Sequence, residues 1–544
     1  MILEDRDLHQ GSAVELPLVV LHLHQDRVIR LTYRQQGAVQ DLVPAYPTAV
    51  QELIRLVDTY PAAYIAWYDE RLAPYLSAVA AWPRLIRHPL EVLHISCLQR
   101  GDLLVRSLGL VDFESPFLLP GPTDRRYGTW LISAICGIAQ SPLLRAIGID
   151  PTVQSFPGAL LDFGLRGAQQ GVLAYSEPRL VAHPIPPAVI QTLHRPLSST
   201  AIATLIGRNY KKKWLLFWLL GSLWLNRSLP VIAVLKAWRV RAAPPSDPQR
   251  MQPLHPALES VIRGATVDVI IPTMGRPLHL LNLLHDLSVQ TTLPRKVTII
   301  EQSPAGEEYR TLPEFSLRAW PFEIHHDLVR WVGACRARNL GLREVRGAWV
   351  LLLDDDIRVT PQFICYLLQV ARAYQVDGVS SAVYLPHQRP ASVVGSALPR
   401  IWPAFASGAS LVSARAMRAA GPFDERLEGG YGEDYEFGVR LRLTGATVMY
   451  APGEPVLHLK APAGGFRYAF AHPWRNEKIQ PKPSPIMLYS RQKHTTTAMQ
   501  KGYRIFYYLN RLTATPYYRW PGEALRIARQ WRSAMRWVTW LSGQ

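Results

Sequence analysis

After residue 263 the chain alternates short apolar runs with helix-period segments, and this alternation constrains the fold more than any other feature. VDVIIPT (Val267 to Thr273) precedes LHLLNLLHDLSVQ, then KVTIIEQS (Lys296 to Ser303). A helix-period stretch from Ala334 to Val345 follows, then the run WVLLL and a further helix from Pro361 to Tyr374. Strands alternating with amphipathic helices imply an α/β fold with a mostly parallel sheet. WVLLL runs straight into three aspartates, Asp354, Asp355 and Asp356. A parallel strand delivers its C-terminal residues to the edge where open α/β sheets bind ligands. Carboxylates crowd there only at a cost unless a cation compensates. Hard oxygen donors at such an edge suit Mg²⁺ or Mn²⁺ held jointly by protein and substrate phosphates. The bland alternative is a solvated turn capping the next helix.

The chain has 544 residues and 48% hydrophobic content, enough for two or three packed domains. Its net charge of +18 suits acidic partners: nucleic acid, nucleotide phosphates or an anionic membrane face. No groove-reading or base-stacking motif accompanies the charge, so nucleic acid is not expected. The excess concentrates in two places, nine Lys or Arg against one acid over 201–250 and eight against one over 501–544, both rich in aromatics. This pattern fits a membrane surface better. Within KKKWLLFWLLGSLWLNRSLPVIAVLKAW the clean apolar run, Trp214 to Leu225, is twelve residues, short of the roughly 20 needed to span a bilayer. A packed helical pair with a solvated basic edge is the plainer reading. Cys97, Cys136, Cys335 and Cys365 are widely spaced in apolar contexts without a CxxC pair, and read as reduced core residues of a cytoplasmic protein. The first thirty residues show no signal-peptide pattern.

RAAPPSDPQRMQPLHP, Arg241 to Pro256, is crowded with proline and reads as a linker. The halves on either side resemble each other. Gly148 to His183 and Gly421 to His458 share a Gly, an Asp, the pair DFGLR/EFGVR, a strand ending in Tyr, a Pro and a final His. Upstream, YIAWYDERLAP shadows VLLLDDDIRVTP. Chance similarity of strand-helix patterns is the alternative to an internal duplication. The expected organisation is therefore 1–205, 206–240 as basic aromatic helices, 241–262 as linker, 263–500, and 501–544 as basic C-terminal helices.

A second acidic pair, Glu433 and Asp434, follows the glycine-rich GGYG and opens an amphipathic helix. Acids favour a helix N-terminus, so capping is the plain reading. Four motifs, IPTMGRP, GACRARNLGL, LLLDDDI and GGYGEDYEFGVRL, occur in this order between Val267 and Lys460. In that order they resemble inverting glycosyltransferases of the family 2 type, on the nucleotide-sugar-binding GT-A fold. The resemblance implies that Pro272, Thr273 and Arg276 line the nucleoside pocket. It places Glu301 where the family usually has an Asp contacting the base, and Arg338 and Asn339 at the helix start facing the nucleotide. Asp354 and Asp356 fill the outer positions of a DxD that binds Mg²⁺ or Mn²⁺, and Asp355 contacts sugar or ribose. Asp434 is the implied base for the acceptor hydroxyl, with Glu433 as helper, and His458 matches a metal ligand in many GT-A enzymes. A lone His at a strand end is more often a hydrogen-bonded structural residue. Lys460 and Arg467, flanking APAGG, are candidates for an ordering loop, and Trp402 and Trp474 for the acceptor side.

The first half aligns Ala159 and Leu160 with Glu433 and Asp434, has no counterpart of PTMGR, and keeps only Asp69 and Glu70 near the DxD position. It reads as a degenerate GT-A-like, Rossmann-like domain without a base. The implied function is transfer of a sugar from a nucleotide-sugar donor to a saccharide or lipid-linked acceptor, in cell-surface polysaccharide or glycoconjugate synthesis. The expected place is the cytoplasm, at the inner face of the membrane. One rival is a non-catalytic sugar-binding scaffold. The other is a haloacid-dehalogenase-like phosphatase, whose DxDx(T/V) spacing Asp354 and Asp356 satisfy but whose fifth position is Arg358 here.

Overall fold

The computed structural model describes residues 16–96, 102–193, 196–243, 248–258, 262, 264–304, 319–390, 398–402, 405–461 and 470–543. In the first half, strands β1 (Leu18–His24), β2 (Arg27–Gln35), β3 (Ala38–Leu42), β4 (Tyr64–Asp69), β5 (Glu91–His94), β6 (Tyr127–Gly128), β7 (Cys136–Gln140) and β8 (Leu173–Ser176) lie side by side in the order β3-β2-β1-β4-β7-β5-β8-β6. Helices α1 (Ala49–Thr59), α2 (Leu103–Val111), α3 (Ser141–Ile147), α4 (Phe156–Ala168) and α5 (Pro187–Leu193) accompany them. Next come α6 (Ser199–Asn209), α7 (Lys213–Asn226), α8 (Val231–Trp238) and the single turn α9 (Pro248–Met251).

The second sheet contains β9 (Val267–Thr273), β10 (Lys296–Gln302), β11 (Glu323–Val329), β12 (Trp349–Leu353), β13 (Ile357–Arg358), β14 (Gly378–Tyr384), β16 (Ala409–Ser413) and β17 (Val448–His458) in the order β11-β10-β9-β12-β16-β14-β17-β13, while β15 (Arg400–Ile401) pairs with β17. Its helices are α10 (Pro277–Ser288), α11 (Ala334–Leu342), α12 (Phe363–Ala373), α13 (Ala414–Ala420) and α14 (Glu433–Leu443), followed by α15 (Pro485–His494), α16 (Thr497–Thr513) and α17 (Trp520–Ser542). Val350 to Leu353 of β12 are wholly buried, as a central strand covered on both faces requires.

From β4 and β12 onward the two sheets repeat each other. β4 runs parallel to β1 as β12 does to β9. β7 and β16 each insert antiparallel between their neighbours. β8 and β17 lie parallel to β5 and β14, and the two-residue strands β6 and β15 pair antiparallel with them. Side chains repeat as well. In α4, Arg166 binds Asp162 at 2.8 Å and donates to the carbonyl of Ile147 at 2.7 Å. In α14, Arg440 binds Glu436 and donates to the carbonyl of Ala420. Both arginines thus lock the end of the preceding helix, α3 or α13, just where Gly148 and Gly421 turn with φ of 76° and 78°. The DFGLR/EFGVR match is this clamp.

The halves part at the other side of the sheets. β10 extends the second sheet parallel to β9, with the crossover helix α10 between them in sequence, and β11 adds parallel to β10. β2 and β3 instead fold back antiparallel. Gln25 and Asp26, with φ of 54° and 69°, make the tight turn that joins β1 to β2.

One buried arginine fastens the halves together. Arg442 of α14 donates to the carbonyls of Gly128 at 3.0 Å and Leu119 at 2.7 Å, and its guanidinium lies over Tyr127. Part of the proline-rich linker is packed: Met251 is fully buried, and His255 bonds the Tyr374 hydroxyl at 2.6 Å. Cys136, Cys335 and Cys365 are buried; Cys97 lies outside the described residues. Among the described residues no helix is long and apolar enough to cross a membrane.

Candidate active site

At the C-terminal ends of β9 and β12 the second half opens into a cleft of about 600 Å³, lined by both acidic clusters together with Pro272, Thr273, Arg276, Arg338 and His458. β12 ends at Leu353, so the three aspartates leave the sheet edge in different directions.

Asp354 receives a hydrogen bond from Arg338 Nη2 at 3.0 Å. A side chain at Gly408 would put its Cβ 2.3 Å from Asp354 Oδ2, so the close approach of that carboxylate requires glycine there. Asp355 is buried, and both its oxygens are taken, by Thr273 Oγ1 at 2.7 Å and Arg276 Nη1 at 2.6 Å. Burial pushes it up to about 6, against the pull of Arg276. Asp355 lines the cleft and at the same time ties the loop after β9 to the end of β12. Burial would also raise Asp356, but the His458 ring, Arg276 and the Ala461 N–H outweigh it and hold this carboxyl at about 2.

His458 Nε2 stands 3.4 Å from Asp356 Oδ1, and that hydrogen bond raises the imidazole above its ordinary value. In this geometry His458 is a donor to Asp356. Among the described residues no cluster of three ligands forms a closed metal cage. Mg²⁺ and Mn²⁺ sites that share substrate phosphates need only one or two carboxylates. Asp354 is 39% exposed at its side chain and Asp356 is firmly ionised, so the donor set fits a hard divalent ion completed by a diphosphate.

On the opposite wall, Gly432 at φ 133° starts α14 and sets Glu433 and Asp434 on its first turn. Burial and the adjoining Asp434 raise Glu433. Burial raises Asp434 too, opposed by Arg338, while Asp434 accepts the Ser407 N–H at 3.2 Å. Arg338 sits between the two clusters. It is 5% exposed, far from an ordinary solvated helix charge. Burial disfavours its charge, but Asp354, Asp434 and Glu433 more than restore it.

Two expected residues are elsewhere. Asn339 does not face the cleft. Its amide donates to the Phe423 carbonyl at 2.9 Å and accepts the Phe423 N–H at 2.7 Å, locking α11 to the segment before α14. Glu301 turns to His326 of β11 at 2.8 Å, and the residue lining the cleft from β10 is Gln302. Trp402 packs at a tilt against Tyr450, Trp474 stacks on His472, and neither lines the cleft. Lys460 lines it, with φ of 53°; Arg467 lies outside the described residues. Arg358, the fifth residue of the phosphatase motif, is locked to Asp286 at 2.6 and 2.7 Å.

Sequence reasoning missed Glu428. It lines the cleft, accepts the Arg336 N–H at 2.7 Å at the start of α11, and burial pushes it up to about 7. Its position just before GGYG was the available signal. Gly408 carried none.

Among the described residues the first half has no counterpart of the Glu433 and Asp434 pair. Ala159 and Leu160 are buried apolar residues of α4, and Asp69 is held by Arg71 at two points, each 2.7 Å.

No curated protein matches the chain. Among solved structures, Staphylococcus aureus TarS 1–349 in complex with UDP-GlcNAc is 16% identical over 49% of this chain and 79% of that one, with a TM-score of 0.37. A mannosyltransferase of Pyrobaculum calidifontis with GDP-Man and Mn²⁺ is 15% identical over 52% of this chain and 87% of that one, at 0.31. GalNAc-T7 with UDP, GalNAc and Mn²⁺ is 14% identical over 36% of this chain and 44% of that one, at 0.31. The match thus spans under half the length of GalNAc-T7. Residues 268–393, which hold the first acidic cluster and its arginines, match the family model for glycosyl transferase family 2, and the chain carries a domain of that family.

Proposed function

We propose that the second half transfers a sugar from a nucleotide-sugar donor to an acceptor hydroxyl with inversion. The observation that carries this reading is the pairing of two acidic clusters across one cleft, with the buried Arg338 between them. Asp434 takes the proton of the acceptor O–H as that oxygen bonds the anomeric carbon. The bond from that carbon to the donor diphosphate breaks with its electron pair on the diphosphate. Glu433 shares charge with Asp434 and keeps its proton affinity high enough for a base. A divalent ion at Asp354 and Asp356 would supply charge neutralisation on the leaving diphosphate. Arg276, fixed by Asp355, and Arg338 add permanent positive charge on the same wall.

The acceptor class that suits the basic helices is a saccharide or a lipid-linked saccharide presented at the inner face of a membrane, as in cell-surface polysaccharide or glycoconjugate synthesis. The first half braces the catalytic half through Arg442 and performs no transfer itself. The test is incubation of the full chain with a panel of nucleotide sugars and Mn²⁺ or Mg²⁺, scored by calorimetric binding and slow donor hydrolysis. Binding that disappears in Asp354→Ala combined with Asp356→Ala supports the reading. If no donor binds the unaltered chain, the reading is wrong.

A further inference from the structure

The hairpin of α7 and α8 buries one side and leaves the other without a partner. Leu215, Phe217, Trp218 and Gly221 of α7, and Ala233, Val234 and Ala237 of α8, pack inward. Leu216, Leu220, Leu223 and Trp224 stand outward on α7 at i, i+4, i+7 and i+8, one helical stripe. Val231, Ile232, Leu235 and Trp238 do the same on α8, with Ile232 70% and Leu235 62% exposed. Leu229, in the connection between the helices, is exposed as well. An apolar surface of this continuity is unusual on a protein that meets only water.

Charge says what meets it. Lys211, Lys213, Arg227, Lys236 and Arg239 are all exposed on the same hairpin. No acid occurs in the sequence between Glu177 and Asp247. The surface continues past Trp224, over whose ring Lys501 and Arg504 of α16 lie at 5.4 and 5.3 Å. There it meets a groove of about 210 Å³ between α7, α16 and α17, floored by Trp224, Trp531 and Met535. An open trough of about 540 Å³ adjoins it, carrying Arg504, Arg532 and Arg536, again without an acid in its lining.

We propose that this face docks the protein on an anionic lipid bilayer, with the α7–α8 stripe inserted at the interface and lipid phosphates over the Arg504, Arg532 and Arg536 trough. Apolar stripes with Trp and flanking Lys or Arg are the composition of helices that lie in the interfacial plane. α7 has 14 residues, too few to span the roughly 30 Å core. A protein partner of matched charge would need an extended acidic, apolar-centred surface; an anionic bilayer offers both properties at once. The face shares no residue with the acidic cleft, so the proposal does not rest on the transferase reading.

The test is flotation of the full-length protein with phosphatidylcholine vesicles, with and without phosphatidylglycerol. The unaltered protein should float with the anionic vesicles and release as salt rises. Ile232→Ser combined with Leu235→Ser, both in solvent and thus compatible with an unchanged circular dichroism spectrum, should weaken vesicle binding at least about tenfold. Arg532→Gln and Arg536→Gln should each weaken it about fivefold on anionic vesicles only. The proposal is overturned if the unaltered protein stays with the load, or if the Ile232 and Leu235 variant floats equally well. It is also overturned if light scattering shows a dimer that this variant dissociates while no vesicle is bound.

Discussion

The guanidinium of Arg338 reaches Asp354 Oδ1 at 3.0 Å while its charge also faces Asp434 across the cleft. One buried cation therefore serves both the donor wall and the acceptor wall, and its removal should be felt at both. Arg338→Met removes the cation shared by Asp354, Asp434 and Glu433, and with Asp354 partly open to solvent the loss should be about 1 to 3 kcal/mol. Thermal unfolding of the variant measures the loss. Arg338→Lys should recover part of the stability and little donor affinity, because the ammonium lacks the planar fork.

Asp434→Asn removes the proposed base without emptying the donor wall. Its kcat should fall roughly 100- to 10,000-fold with nucleotide-sugar binding retained. Glu433→Gln should cost less. Equal activity of Asp434→Asn and the unaltered enzyme would assign the base elsewhere.

Both members of this pair are raised above ordinary carboxylates, so protonation inactivates the base at higher pH than for an exposed Asp. The acid limb of kcat/KM should lie well above the usual carboxylate midpoint of about 4, as a property of the pair and not of either residue. Glu433→Gln should move that limb downward, which a pH series reads directly.

Glu428 is pushed up to about 7 and Asp355 to about 6. Each binds its proton more tightly folded than unfolded. The stability they contribute is complete below the unfolded value near 4 and is lost as pH rises through the folded one. Glu428→Gln keeps the acceptor for the Arg336 N–H. It should be nearly neutral at pH 4 and stabilising by on the order of 2 kcal/mol at pH 8, measured by denaturant unfolding at the two pH values.

Arg166→Ala and Arg440→Ala delete the same clamp in the two halves. Each should destabilise by about 1 to 3 kcal/mol, since a carbonyl at the end of the preceding helix loses its donor, while Arg208 still holds Asp162 and Lys493 and His494 still hold Glu436. Only Arg440→Ala should also lower transfer, because α14 carries Glu433 and Asp434 on its first turn.

Local features were legible in the sequence. The strand WVLLL, the triplet after it, and the GGYG turn before Glu433 are set by residues adjacent in the chain, and the structure assembles them around one cleft. The clamp was visible as DFGLR and EFGVR, because its acid and arginine are one helical turn apart. Asn339 was misplaced because its partner, Phe423, lies 84 positions away. The bonds that Thr273 and Arg276 make to Asp355 had no local signal for a similar reason, since they come from about 80 positions upstream. The burial of Arg338 depends on partners remote in sequence, among them Phe423, over whose ring its guanidinium lies at 5.7 Å, a tertiary contact with no local signature. In the first half, the shared pattern begins at β4, and nothing in LVVLHLH announces that the next strand turns back instead of crossing over.

That turn at Gln25 and Asp26 makes the divergence of the halves a one-way step. Placing acids at Ala159 and Leu160 would reinstate a pair of carboxylates on α4, but β1 is flanked by the antiparallel β2 where β9 has the parallel β10, with no helix like α10 beside which a nucleotide could lie. Substitutions change side chains and leave connectivity alone. An ancestor with two working sites could lose one by replacing a crossover with a hairpin, and its descendants could not regain it residue by residue.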